Sequence, residues 1–148
     1  MLSRRFSSAL SHAWHRSVST GVLKDKIVVT AALNGVLTDP ARFNVPVTPV
    51  EMGIAAEEAY NAGASVVHVH IRDQRPGKGH LPSWDPAVAA EVVAEIRKRV
   101  PTLVINMTTG TIGSSGPFGG GQLGPTGGPI SCLASTAPDM AALNCGSP

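Results

Sequence analysis

In Ser65-Val66-Val67-His68-Val69-His70-Ile71, a serine leads into β-branched residues interrupted only by two histidines. β-Branched side chains suit a pleated, packed surface, so the run predicts a strand. Successive strand residues point to opposite faces, which puts Val67, Val69 and Ile71 on one side and His68 and His70 on the other. The apolar side predicts helices packed against it. The histidine side predicts something polar.

The stretches on either side follow the same logic. Upstream, Thr48-Pro49-Val50-Glu51 has a capping residue, a proline at the first helical position and a glutamate three residues after the cap. A helix through Met52, Ile54, Ala55, Ala59 and Tyr60 should stop at Asn61-Ala62-Gly63, with Gly63 in the left-handed conformation. Before it, Ile27-Val28-Val29-Thr30-Ala31-Ala32-Leu33 reads as a strand buried on both faces, closed by the turn residues Asn34-Gly35. Downstream, Asp85-Pro86 opens a helix with Val88, Val92, Val93 and Ile96 on one face, ended by Pro101. Leu103 to Met107 forms a third strand and Met140 to Asn144 a fourth. Alternating strands and helices predict an α/β fold with a parallel sheet. Between the last two strands, residues 113–136 are dense in glycine and proline, and they read as one long loop of the sort that covers a functional site.

Composition narrows the function classes. With 148 residues, 43% hydrophobic and 15% charged residues and a net charge of +2, the chain suits one modest globular core and gives no reason to expect a nucleic-acid partner. Arg97, Lys98 and Arg99 close a helix, where cations suit the carbonyl end and are expected to be solvated. Cys132 and Cys145 are too few for a disulfide framework and are read as reduced thiols in an intracellular compartment. The apolar runs are far shorter than the ~20 residues a membrane span needs, so the mature protein is expected to be soluble.

Residues 1–21 hold Arg4, Arg5, Arg16 and six serines without an acidic residue, and Leu2, Phe6, Leu10 and Trp14 recur every fourth position. This composition reads as a transit-peptide-like presequence, with the mitochondrion favoured over a plastid or a cytoplasmic location; the plain alternative is a disordered tail.

Two residues apart on a strand, the His68 and His70 Cα atoms lie about 6.6 Å from each other on one face, close enough for both imidazoles to reach one metal. Taken alone the pattern favours two hydrogen-bonded core histidines. Arg72 continues that side where the strand meets its loop, and a metal or an anionic substrate would compensate the buried cluster. Thr108-Thr109-Gly110-Thr111 and Asn144 fall at the carboxyl ends of strands, where α/β sheets bind ligands, although each alone is an ordinary strand exit. Their convergence on one rim raises all of them.

Together, Val29-Thr30-Ala31-Ala32, Pro46-Val47-Thr48-Pro49-Val50-Glu51, Ala62 to Asp73, Asn106-Met107-Thr108-Thr109-Gly110 and Asp139 to Asn144 resemble the β-keto acid cleavage enzyme family, whose best-known activity is 3-keto-5-aminohexanoate cleavage. The resemblance runs from about Lys26 to the end. It implies a (β/α)8 TIM barrel, of which residues 22–148 would supply about the first four strands, and a zinc ion held by His68 and His70 with a carboxylate from later in a full-length chain. It further implies a Claisen-type exchange in which a β-keto acid and acetyl-CoA become acetoacetate and a new acyl-CoA. Thr108, Gly110, Thr111 and Asn144 match substrate contacts, and a homo-oligomer is expected at full length. The family's acid-base arginine-aspartate pair would lie beyond residue 148, so the 148-residue chain by itself is expected to be inactive, and the two open sheet edges of half a barrel are expected to make it poorly soluble. Leu37 replaces a glutamate that can contact an amino-bearing substrate, Thr111 stands where a second glycine is common, and the Gly/Pro-rich segment stands where the family has a helix. Two other readings are a non-catalytic truncated product and a metal-dependent barrel hydrolase, the latter disfavoured because its His-x-His pair ends the first strand rather than the second.

Overall fold

The computed structural model describes residues 26–35, 38–109 and 128–142, with the side chains of 128–130 excepted. The presequence, Leu37, Gly110, Thr111, most of the Gly/Pro-rich segment, Asn144 and Cys145 lie outside the described residues. The elements are β1 (Thr30–Ala32), α1 (Pro49–Asn61), β2 (Val66–Val69), α2 (Pro86–Arg99), β3 (Val104–Thr108), α3 (Gly128–Thr136) and β4 (Met140–Ala142).

All neighbouring strands pair in parallel, in the spatial order β1-β2-β3-β4. Each strand lies beside the one that precedes it in the chain. This one-way winding is that of a (β/α)8 barrel, whereas a doubly wound sheet reverses its order at a switch point. The chain is therefore an α/β, partial TIM barrel of four strands.

The helices form where the caps dictate. Thr48 accepts a hydrogen bond from the Glu51 amide while the Glu51 carboxylate accepts from the Thr48 amide, and Pro49 follows the cap. The Thr48 amide, then the Val47 amide that donates to the same oxygen, hold the Glu51 carboxyl below the usual carboxylate range. Gly63, at φ +107°, turns the chain out of α1 toward β2. Asp85 caps α2 by accepting from the Ala87 amide.

The core lies between the helices and one face of the sheet. Met52 and Ala56 of α1 and Ala89, Val92 and Ile96 of α2 bury with Val67, Val69, Ile105 and Met107 of the central strands. Close packing of α1 on α2 requires Gly53, where a Cβ would sit 3.1 Å from the Glu95 carbonyl oxygen. Backbone cannot give way as a side-chain tip can, so Gly53→Val is expected to lower stability by about 1–3 kcal/mol, read as a lower urea midpoint.

Three expectations need correction. Residues 128–136 are helix α3, not loop: glycine and proline end at Pro129, which fits a first helical turn, and Cys132 and Leu133 then pack on the core. The first strand is not buried on both faces. It spans only Thr30–Ala32, where Thr30 and Ala32 are exposed and β2 is its one partner among the described residues, and Ile27 and Val28 before it are each 74% exposed. The basic close of α2 is also more than a solvated end. Arg97 donates to the Leu103 carbonyl and pairs with Asp139, which accepts from the Ile105 amide at 2.7 Å, so this arginine ties α2 to the edges of β3 and β4.

Candidate metal centre

The register lines up the sheet face opposite the helices. Ala32, His68, Asn106 and Met140 are neighbours on one level, because Ala32 pairs with His68, His68 with Asn106 and Asn106 with Met140. Two residues further along each strand stand Asn34, His70, Thr108 and Ala142, at the carboxyl ends. The two histidines do share this face, half-buried, with their Nε2 atoms 3.2 Å apart and their rings edge to face.

Burial dominates the electrostatics of the pair. It lowers the His68 pKa from its ordinary value, while the neighbouring Asn106 side chain favours the charged form, even though Asn106 Oδ1 has no partner of ordinary hydrogen-bond geometry. Burial, then the charges of His68 and Arg72, push His70 down to about 4. Both imidazoles are therefore free bases at neutral pH, the form that ligates metals. Unfolded imidazoles titrate near 6.5, so the unfolded chain takes up protons first as the pH falls. The histidine contribution is intact above pH ~6.5 and is lost progressively toward pH ~4, by on the order of 2–3 kcal/mol for His70. Urea midpoints at pH 7 and pH 4.5 should differ less in His70→Gln than in the unmodified chain; an equal difference would refute it.

Arg72 is 1% exposed and has no carboxylate partner among the described residues. Instead Nη2 donates to the carbonyls of Asn34, Gly35 and Thr38, and Nη1 to those of Gly79 and His80. The guanidinium thus fastens the loop after β1 to the loop after β2. Asn34, expected only as a turn residue, is buried, and its side chain bonds the His70 backbone. Position before a glycine hid it among turn formers, since nothing local in sequence signals a contact 36 residues away.

Thr108 is 5% exposed at the end of β3, level with His70, and Thr109 bonds the Ala142 carbonyl through its amide and its hydroxyl. A cleft of about 410 Å³ lies beside this rim, lined by Asp39, Thr48, Asp73, Gln74 and His80 among others, and reaches neither histidine of the pair. Among the described residues no three His, Cys, Asp or Glu side chains gather around a common point. Burial, then the Asp85 charge, push the Cys132 thiol up to about 11, and its side chain packs in the core with Ile105 and Met107 rather than on the histidine face. No helix among the described residues is long and apolar enough to cross a membrane.

A parallel barrel-type sheet with a histidine pair and threonines at its carboxyl rim defines a class, and comparison with known proteins gives the family. The profile of the beta-keto acid cleavage enzyme family matches residues 26–148, and the chain belongs to that family. It is 41% identical over 88 residues to 3,5-dioxohexanoate:acetyl-CoA acetone transferase of Paraburkholderia graminis, covering 59% of this chain and 27% of that protein. It is 32% identical to the 3-keto-5-aminohexanoate cleavage enzyme of Fusobacterium nucleatum, over 84% of this chain and 41% of that protein. Identity is again 32% with 3-oxoadipate:acetyl-CoA acetyltransferase of Cupriavidus necator, over 82% of this chain and 36% of that protein. The chain spans well under half the length of these relatives.

Proposed function

We propose that this protein takes part in the exchange of a β-keto acid with acetyl-CoA to give acetoacetate and a new acyl-CoA, with zinc held by His68 and His70. The observation that carries the metal reading is the 3.2 Å approach of the two Nε2 atoms. Two zinc–nitrogen bonds of about 2.0–2.1 Å at a tetrahedral angle place their nitrogens roughly 3.3 Å apart. The residues therefore fit the ion. Bound there, zinc supplies Lewis-acid polarisation of the substrate's keto oxygen.

The chain's own residues supply the rest of the argument. His68 and His70 present neutral imidazoles on the rim face, and the proton that their Nε2 atoms share as a hydrogen bond would be displaced on zinc binding. The buried Arg72 charge leaves that region positive, which favours a β-keto carboxylate. Thr108, with Gly110 and Thr111, is proposed to hold that carboxylate, and Asn144 to make another polar contact with the substrate. Catalytic zinc usually has three protein ligands, so the third is proposed to come from outside the described residues. Two of these relatives, the 3,5-dioxohexanoate and 3-oxoadipate enzymes, are named for acetyl-CoA as the partner of a β-oxo substrate, which supports the co-substrate.

The test is zinc-dependent formation of acetoacetate from acetyl-CoA and a panel of β-keto acids by the protein that carries this segment. Loss on His68→Ala is the expected result, and turnover indifferent to zinc removal would sink the metal role. The presequence reading adds mitochondrial import as a proposal, and a fluorescent fusion spread evenly through the cytosol would overturn it.

A further inference from the structure

We propose that Asn34 is the positioning residue that sets His70 against His68, a reading that rests on the proposed metal site only for the identity of the ligand. Backbone pairing between β1 and β2 ends at Ala32 opposite His68, followed by one last bond from the Leu33 amide to the His68 carbonyl at 3.1 Å. Beyond it the first chain turns away through Gly35, at φ +59°. No backbone group of β1 reaches His70.

The Asn34 side chain takes over that rung. Its Nδ2 donates to the His70 carbonyl at 2.8 Å and its Oδ1 accepts from the His70 amide at 3.1 Å. Both peptide planes flanking the His70 Cα are thereby held, and with them the direction of its Cα–Cβ bond. The clamp is itself anchored. Asn34 is 2% exposed, its Nδ2 also donates to the Pro46 carbonyl at 3.2 Å, and its own carbonyl accepts from Arg72 at 3.0 Å.

A metal-binding imidazole is usually oriented through its other ring nitrogen, by an acceptor for that N–H. His70 Nδ1 has no such partner among the described residues. Orientation must then come from the backbone, and Asn34 is what grips it.

The experiment uses the full 148-residue chain, zinc alone as the probe, and two variants. Asn34→Ala removes the clamp, and Asn34→Thr leaves one hydroxyl able to serve one of the two His70 groups. Asn34→Ala, shown folded by circular dichroism, is expected to bind zinc about 10–100-fold more weakly, the range typical of losing an orienting partner. The nuclear Overhauser contact between the His68 and His70 rings in the metal-free chain should fade, and Asn34→Thr should fall between the two. A role in stability alone would lower the urea midpoint yet leave zinc affinity and the ring contact unchanged, and that outcome overturns the proposal. If Asn34→Ala does not fold, wild-type affinity and ring contact in Asn34→Thr overturn it equally. Should the 148-residue chain, which lacks the later carboxylate, bind no zinc, the ring contact in the variants alone decides the role of Asn34: an unchanged contact in both overturns it.

Discussion

Replacing either histidine of the facing pair with alanine is expected to weaken zinc binding by two orders of magnitude or more. Four-ligand structural sites bind zinc with about 10–16 kcal/mol, an average of roughly 3 kcal/mol per ligand, which corresponds to ~100-fold. In the proposed site His68 and His70 are the two ligands among the described residues, so the loss of one removes half of their share. The two substitutions should also be far from additive. Once His68 is gone, the remaining imidazole has no partner on that face with which to share the ion, so the double variant should bind little worse than either single one. Competition with a coloured chelator measures all four states. Independent, equal losses for the two histidines would mean that they do not serve one ion.

Arg72→Met should be the most damaging single change to stability outside the apolar core. Methionine keeps much of the side-chain volume but none of the donors, leaving the carbonyls of Asn34, Gly35, Thr38, Gly79 and His80 without their shared partner. A buried polar group left unsatisfied costs about 1–3 kcal/mol. Water can reach some of these carbonyls, so a loss of about 3–5 kcal/mol is expected rather than the full sum. Against a typical total of about 5–15 kcal/mol, that loss moves the unfolding midpoint far to lower urea. Arg72→Lys should be intermediate, because an ammonium cannot fork across two loops as a guanidinium does. A variant within 0.5 kcal/mol of the original would show that the cradle is dispensable.

Local rules made much of this protein legible from its residues. Thr48, Pro49 and Glu51 write a helix start in four positions, and the structure has both reciprocal bonds of that box. The alternation in Val67 to Ile71 separates an apolar face from a histidine face by strand geometry alone, and there Val67, Val69 and Ile71 are buried while the histidines are half-buried. These features depend on neighbours a few residues apart, and sequence order preserves such neighbours.

Tertiary structure decided what depends on distant partners. Helix α3 was hidden because composition averaged over residues 113–136 is dominated by glycine and proline, while the burial of Cys132 that anchors it comes from the core cluster and from the packing of α3 on α2. Exposure of the first strand could not be read from its apolar run, since burial depends on what lies beside an edge rather than on the run itself. Asn34 and Arg72 carry the same lesson at the site. Asn34 meets His70 36 residues away and Arg72 meets Asn34 38 residues away, so their roles exist only once parallel pairing has brought the ends of β1 and β2 together.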